Sequence, residues 1–150
     1  MNKFERAYIA GFFDGEGTIT VACGRKTKKG RIYTLICAFY NSDQEVLEWI
    51  QSKIGGTIHI RPKKVPYHFI HRMLYCRNQT ELIIWLEAIF PFLKIKKEAV
   101  NLGIMFLKLR EPTKHLHSSH NPITVEQKEI LRRIRLENMK HSFNAKPLPE

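Results

Sequence analysis

Asp14 and Glu16 stand two residues apart, framed by Gly15 and Gly17, at the end of an apolar helical stretch that begins at Tyr8. Carboxylate oxygens are the ligands that hard cations such as Mg²⁺ prefer, commonly together with a substrate phosphate. The chemistry on offer is therefore metal binding beside an anion. Asp-Gly-Glu-Gly by itself also fits a plain turn, because the glycines let the backbone bend there without a Cβ penalty. What lies around the pair decides between the two.

The surroundings are basic. The formal charge is +11, from 25 Lys and Arg against 14 Asp and Glu. Gly17 to Ser42 holds no acid and carries Arg25, Lys26, Lys28, Lys29 and Arg31. Trp49 to Thr80 holds none either and carries Lys53, Arg61, Lys63, Lys64, Arg72 and Arg77. These two stretches account for the whole excess, and both alternate as strands do, so they predict a basic sheet, the electrostatic footprint of a polyanion.

The elements that must position these groups follow from periodicity. Phe4, Ala7, Tyr8, Gly11, Phe12 and Gly15 recur at helical spacing and predict a helix from about Lys3 to Phe13. Thr18 to Gly24 alternates with Ile19, Val21 and Cys23 inward, and Ile32 to Tyr40 with Leu35, Cys37 and Phe39 inward; Arg25 to Arg31 is the hairpin loop between them. Ser42 and Glu45 form a capping box that opens a helix ending at Gly55-Gly56. A second basic hairpin runs from Thr57 to Arg61 and from His68 to Arg77, and helices follow over Gln79 to Phe90 and about Lys94 to Leu109. Thr124 with Gln127 caps a terminal amphipathic helix. The prediction is an α+β fold: helices on one face of an antiparallel sheet, and a basic face open to solvent.

At 150 residues and 43% hydrophobic the chain has the size of one domain with a real core. No apolar run reaches the roughly 18 residues of a membrane span, and the charged start does not resemble a signal peptide, so a soluble intracellular protein is expected. Cys23, Cys37 and Cys76 lack the spacing of a disulfide framework or a zinc site and read as buried small hydrophobes. Trp49 and Trp85 read as packing residues, and His115, His117 and His120 as part of a solvated linker.

The nine residues Ile9-Ala10-Gly11-Phe12-Phe13-Asp14-Gly15-Glu16-Gly17 resemble, position for position, the signature of the LAGLIDADG homing endonucleases. The order helix, basic hairpin, helix, basic hairpin, helix is similar to that family's αββαββα core, over about residues 4–110, with a C-terminal helical extension at about 122–141. Phe90-Pro91-Phe92-Leu93-Lys94-Ile95-Lys96-Lys97 is similar to the segment that carries a lysine near the scissile phosphate. The resemblance implies that Glu16 is the catalytic metal ligand, with Gly15 beside it, that Asp14 is structural, and that Lys96 acts on the phosphate. Glutamate replaces the commoner aspartate at position 16. A water-orienting polar residue is implied just after the second strand, where Asp43 or Gln44 fills the place.

Only one such motif occurs, so a homodimer is implied, joined through Ala10, Gly11, Phe12 and Asp14. The expected partner is double-stranded DNA, cut in a stagger across the minor groove with Mg²⁺ or another divalent cation such as Mn²⁺. Phosphate contacts fall to Arg25, Lys26, Lys28, Lys29, Arg31 and Lys63, and base contacts to outward Thr20, Tyr40, His59, Arg61, His71, Tyr75 and Arg77. The expected compartment is a prokaryotic cytoplasm or an organelle. The rival expectation is a binding module without cleavage, either an RNA maturase or a transcriptional regulator on the same scaffold.

Overall fold

The structure, a computed structural model, describes residues 1–27, 30–61, 71–110 and 123–140. The elements run α1 (Lys3–Glu16), β1 (Gly17–Thr27), β2 (Gly30–Asn41), α2 (Gln44–Ile54), β3 (Thr57–Arg61), β4 (His71–Cys76), α3 (Gln79–Ile89), a 3₁₀ turn (Phe90–Phe92), α4 (Lys97–Lys108) and α5 (Val125–Lys140). This is the predicted α+β order. All strand pairs are antiparallel, in the order β1-β2-β4-β3.

Register fixes which side chains meet the helices. Ile19 pairs with Cys37, Val21 with Leu35, and Phe39 with Leu74, and all six are buried. Against them pack α1 through Ile9, Ala10 and Phe13, α2 through Leu47 and Ile50, α3 through Leu82, Trp85 and Leu86, and α4 through Val100, Leu102 and Phe106. At the centre the rings of Phe13, Phe39 and Trp85 lie 5.1 to 5.8 Å apart in edge-on or tilted contacts. Gly103 lets α4 settle close to the sheet, since a Cβ there would stand 2.6 Å from Ile19 Cδ1.

Several boundaries differ from the sequence expectation, each for a local reason. α1 runs on through Glu16, and neither Gly15 nor Gly17 has a positive φ, so those glycines do not serve as a bend. The strands of the first hairpin continue to Thr27 and resume at Gly30, with a bulge between Cys23 and Lys26, where a loop was expected over Arg25 to Arg31. Cys23 is exposed because the helical cover ends at Val21 and Leu35. The N-cap of α2 is Asp43, whose Oδ1 accepts from Val46 N–H at 3.2 Å, and not Ser42. A charged carboxylate one residue later, favoured at the positive end of the helix, has taken the helix start.

The Thr124–Gln127 capping box is present, with both reciprocal bonds near 3 Å. Gln127 also donates to the carbonyl of Leu109 at 3.0 Å, and Asn138 donates to the carbonyl of Ile19 at 2.6 Å. The last helix is thereby tied both to α4 and to the outer strand β1, whose free edge it partly covers. Among the described residues no helix is long and apolar enough to cross a membrane.

Candidate active site

Asp14 and Glu16 both lie in the last turn of α1, but on different sides of it. Asp14 is 9% exposed and Glu16 is exposed to solvent. The separation follows from helical geometry, because two residues along an α-helix turn a side chain by about 200°.

Asp14 is bound by backbone. Its Oδ2 accepts from Lys94 N–H at 2.7 Å and Ile95 N–H at 3.1 Å, and its Oδ1 accepts from Lys96 N–H at 2.9 Å. Three N–H donors satisfy a carboxylate that burial would otherwise penalise. They also explain why Lys94 to Lys96 form a bend ahead of α4 and not its first turn, where the helical period runs through them. Lys96 then folds its ammonium onto the carbonyl oxygen of Asp14 itself. That carbonyl is one of the orphans at the end of α1, where the helix dipole is negative and favours a cation.

Lys96 is half-buried beside two acids. Burial pushes its ammonium below the usual lysine range, while the charges of Asp14 and Glu16 pull the other way. A lysine and an exposed carboxylate thus share one helix end. This is the arrangement expected of a site that handles phosphate, with an oxygen ligand for a cation and a positive group for a phosphate oxygen.

The remaining expected residues fall as follows. Asp43 is occupied as the α2 cap, and Gln44 donates to Glu48 at 2.5 Å. Gly17 pairs with Phe39, so the end of β2 that leads to them runs beside the end of α1. Thr20 and His59 are exposed, and Tyr40 and Tyr75 half-buried, on the sheet side away from the helices, while Arg77 is exposed just past the end of β4. His59 and Tyr75 meet edge to face at 6.0 Å and, with Arg77 and the acid Glu81, line an open hollow of about 520 Å³. Arg25, Lys26 and Arg31 lie on the β1–β2 hairpin, and Arg61 pairs with His71. Lys28, Lys29 and Lys63, like His115, His117 and His120, lie outside the described residues.

The expected dimer contacts require a correction. Ala10 is fully buried and Asp14 nearly so, both facing the protein's own interior. The open side of α1 is carried by Phe4, Ala7, Tyr8, Gly11 and Gly15, with Phe12 half-buried and stacked on Tyr8 at 6.2 Å. A Cβ at Gly11 or Gly15 would meet nothing within 4 Å. The helix is apolar on both sides, and the periodic set Phe4, Tyr8, Gly11 and Gly15 marks the outer one. Tyr8 continues this face onto α2 through an edge-to-face contact with Trp49 at 5.3 Å.

Two groups escaped the sequence reading. Asn2 and Glu5 form a capping box at the start of α1, visible in the sequence as Asn with Glu three residues on. The backbone donors of Lys94 and Ile95 leave no sequence signal, because any residue but proline carries them.

The chain is thus an α+β protein with a carboxylate exposed at a helix end, beside an antiparallel sheet whose four strands carry no Asp or Glu. The family model described as LAGLIDADG endonuclease matches residues 9–98, and the chain belongs to that family. No curated protein sequence matches it. Among solved structures it is similar to the homing endonuclease I-CvuI in complex with its target, at 20% identity and TM-score 0.71, over 97% of this chain and 87% of that one. The archaeal intron-encoded homing endonuclease I-Vdi141I complexed with DNA is similar at 22% identity and TM-score 0.69, over 98% and 89%. I-SmaMI bound to uncleaved DNA target with calcium ions is matched at 19% identity and TM-score 0.61, over 100% of this chain but 52% of that one. The fold is that of LAGLIDADG homing endonuclease structures.

Proposed function

We propose that this chain is a site-specific homing endonuclease. As a homodimer it binds a long pseudo-palindromic site in double-stranded DNA and hydrolyses both strands with a divalent metal, leaving staggered ends. The observation that carries this reading is Glu16, an exposed carboxylate at the end of α1 with Lys96 folded onto the same turn, in a chain of the LAGLIDADG endonuclease family.

The donor set suits Mg²⁺ or Mn²⁺: the Glu16 carboxylate and the Gly15 carbonyl are hard oxygens at the negative end of a helix. Among the described residues no three His, Cys, Asp or Glu gather to hold an ion, and a bound cation would take its further ligands from the DNA phosphate and from Glu16 of a second copy. A bound divalent cation supplies Lewis-acid stabilisation and a water of lowered pKa. Glu16 holds that cation, and Lys96 steadies negative charge on the phosphate oxygens as it develops. I-CvuI is described with its target in the presence of calcium, and with another target in the presence of magnesium with the DNA not cleaved, which supports a divalent cation at such a site.

The outer sheet face supplies affinity and choice of sequence, Lys and Arg meeting phosphates while Thr20, His59, Tyr75 and Arg77 reach base edges. The apolar outer side of α1, and a match that spans about half of I-SmaMI, support pairing of two copies through that helix.

The test is incubation of the protein with a plasmid library carrying randomised inserts in Mg²⁺, followed by sequencing of the ends. Recurrent staggered ends around one near-palindromic sequence, lost on adding EDTA, are expected. DNA retained but never cut, whatever the divalent cation, would leave the chain a binding module.

A further inference from the structure

We propose that Asp14 is a positioning residue for cleavage, which grips Lys96 at both its backbone and its ammonium and so sets the lysine beside Glu16. This rests on the reading of Glu16 and Lys96 as cleavage residues. What it adds is a task for the buried acid of the motif, which the metal does not use.

Asp14 meets Lys96 twice. Its carboxylate takes the Lys96 N–H together with those of Lys94 and Ile95, which locks three consecutive residues of the bend. Its main-chain carbonyl takes the Lys96 ammonium. The lysine is therefore referred at both ends to one residue of α1, and Glu16 lies two residues further along the same rigid turn. A long flexible lysine on an unanchored bend would lose rotamer freedom each time it engaged a phosphate; here the bend and the side chain are ordered beforehand. The span between the partners is 82 residues along the chain, so nothing local in the sequence enforces it. Without the carboxylate only the ammonium's bond to the Asp14 carbonyl would tie the bend to α1, and the bend's backbone would be free to shift the lysine away from Glu16.

A bracing role alone would lower stability whether or not Lys96 were present. A positioning role acts through Lys96 and vanishes without it. The experiment is a double-mutant cycle on single-turnover cleavage of the cognate site, with Asp14→Asn, Lys96→Ala and the pair, alongside melting temperature and DNA affinity. Asp14→Asn keeps the size but turns an NH₂ toward donors. The expected result is a fall in rate of about 100-fold, the cost of misplacing a catalytic group by roughly an ångström, with DNA affinity held. In the Lys96→Ala background the same change costs less than about twofold.

Lys94→Pro is the second variant, for use if Asp14→Asn fails to fold. It deletes one donor while Asp14 keeps its charge, and Leu93 already has the extended backbone (φ −68°, ψ 143°) that precedes proline. It too should slow cleavage only when Lys96 is present. Losses that multiply independently, with Lys96→Ala itself slow, would overturn the proposal, whereas a Lys96→Ala protein that cuts at the normal rate would overturn the reading beneath it. Normal cleavage by Glu16→Gln would likewise overturn that reading and not the coupling of Asp14 to Lys96.

Discussion

A Cβ added to Gly17 would stand 2.2 Å from Cδ2 of Phe13 and 2.5 Å from its carbonyl oxygen. Gly17 has an ordinary extended backbone, and its N–H donates to that same Phe13 carbonyl to close α1. The glycine is there for space: it lets the chain pass from helix to strand directly over a buried ring, which is what leaves Glu16 at the outer corner.

Gly17→Ala should accordingly destabilise the protein by about 3 kcal/mol, the upper range of overpacking, since backbone and a core ring are both in the way. Thermal or urea unfolding measures it. An alanine tolerated at no cost would mean that the α1–β1 corner is not packed as described.

Gly11→Leu should do the opposite within one protomer. Its Cβ points into open space, and replacing helical glycine gains up to about 1 kcal/mol of propensity. If two copies pair through this side of α1, the same change separates them. Sedimentation should show a folded monomer where the parent is a dimer; an intact Gly11→Leu dimer would place the interface elsewhere.

The thiols give a pH dependence. Burial, helped by the charge of Glu81, pushes Cys76 from its ordinary 9.0 up to about 12, and burial pushes Cys37 well up too. A raised folded-state pKa means the native protein holds protons that the unfolded chain releases, so stability is complete below about pH 9 and falls as pH rises toward 12. Urea midpoints should drop from about pH 9 upward, and the slope should flatten in Cys76→Ala. In the native state a thiol reagent should modify the exposed Cys23 and reach the two buried cysteines only on unfolding.

Neutralising Lys28 and Lys29 to glutamine should weaken DNA binding about equally for all sequences and lower the salt slope by about 0.9 for each phosphate that a lysine no longer neutralises. Titrations at several salt concentrations read this directly, and an unchanged slope removes both lysines from the interface.

Much of this molecule was legible in the sequence because its signals are local. Period-two alternation put Leu35, Cys37 and Phe39 inward and left Thr20, His59 and Tyr75 outward, as the register has them. The motif delivered Asp14 and Glu16 to a helix end. What failed depends on contacts between distant segments. An apolar helix reads the same from both sides, so Ala10 was assigned to a partner although it packs in the protein's own core. The helical period ran through Lys94 to Lys96 because nothing nearby reveals that Asp14, some eighty residues earlier, draws those amides into a bend. Competition between adjacent caps is equally invisible in composition, and Asp43 prevailed over Ser42.

Whether Glu16 serves the metal and not the grip on DNA is decided by Glu16→Gln on the site recovered from the randomised library, comparing cleavage in Mg²⁺ with binding of the same duplex. Cleavage should disappear while affinity stays within about threefold of the parent, the usual scatter for a substitution that removes no direct interaction with the duplex. Normal cleavage by the glutamine protein would contradict the assignment of Glu16 to the metal.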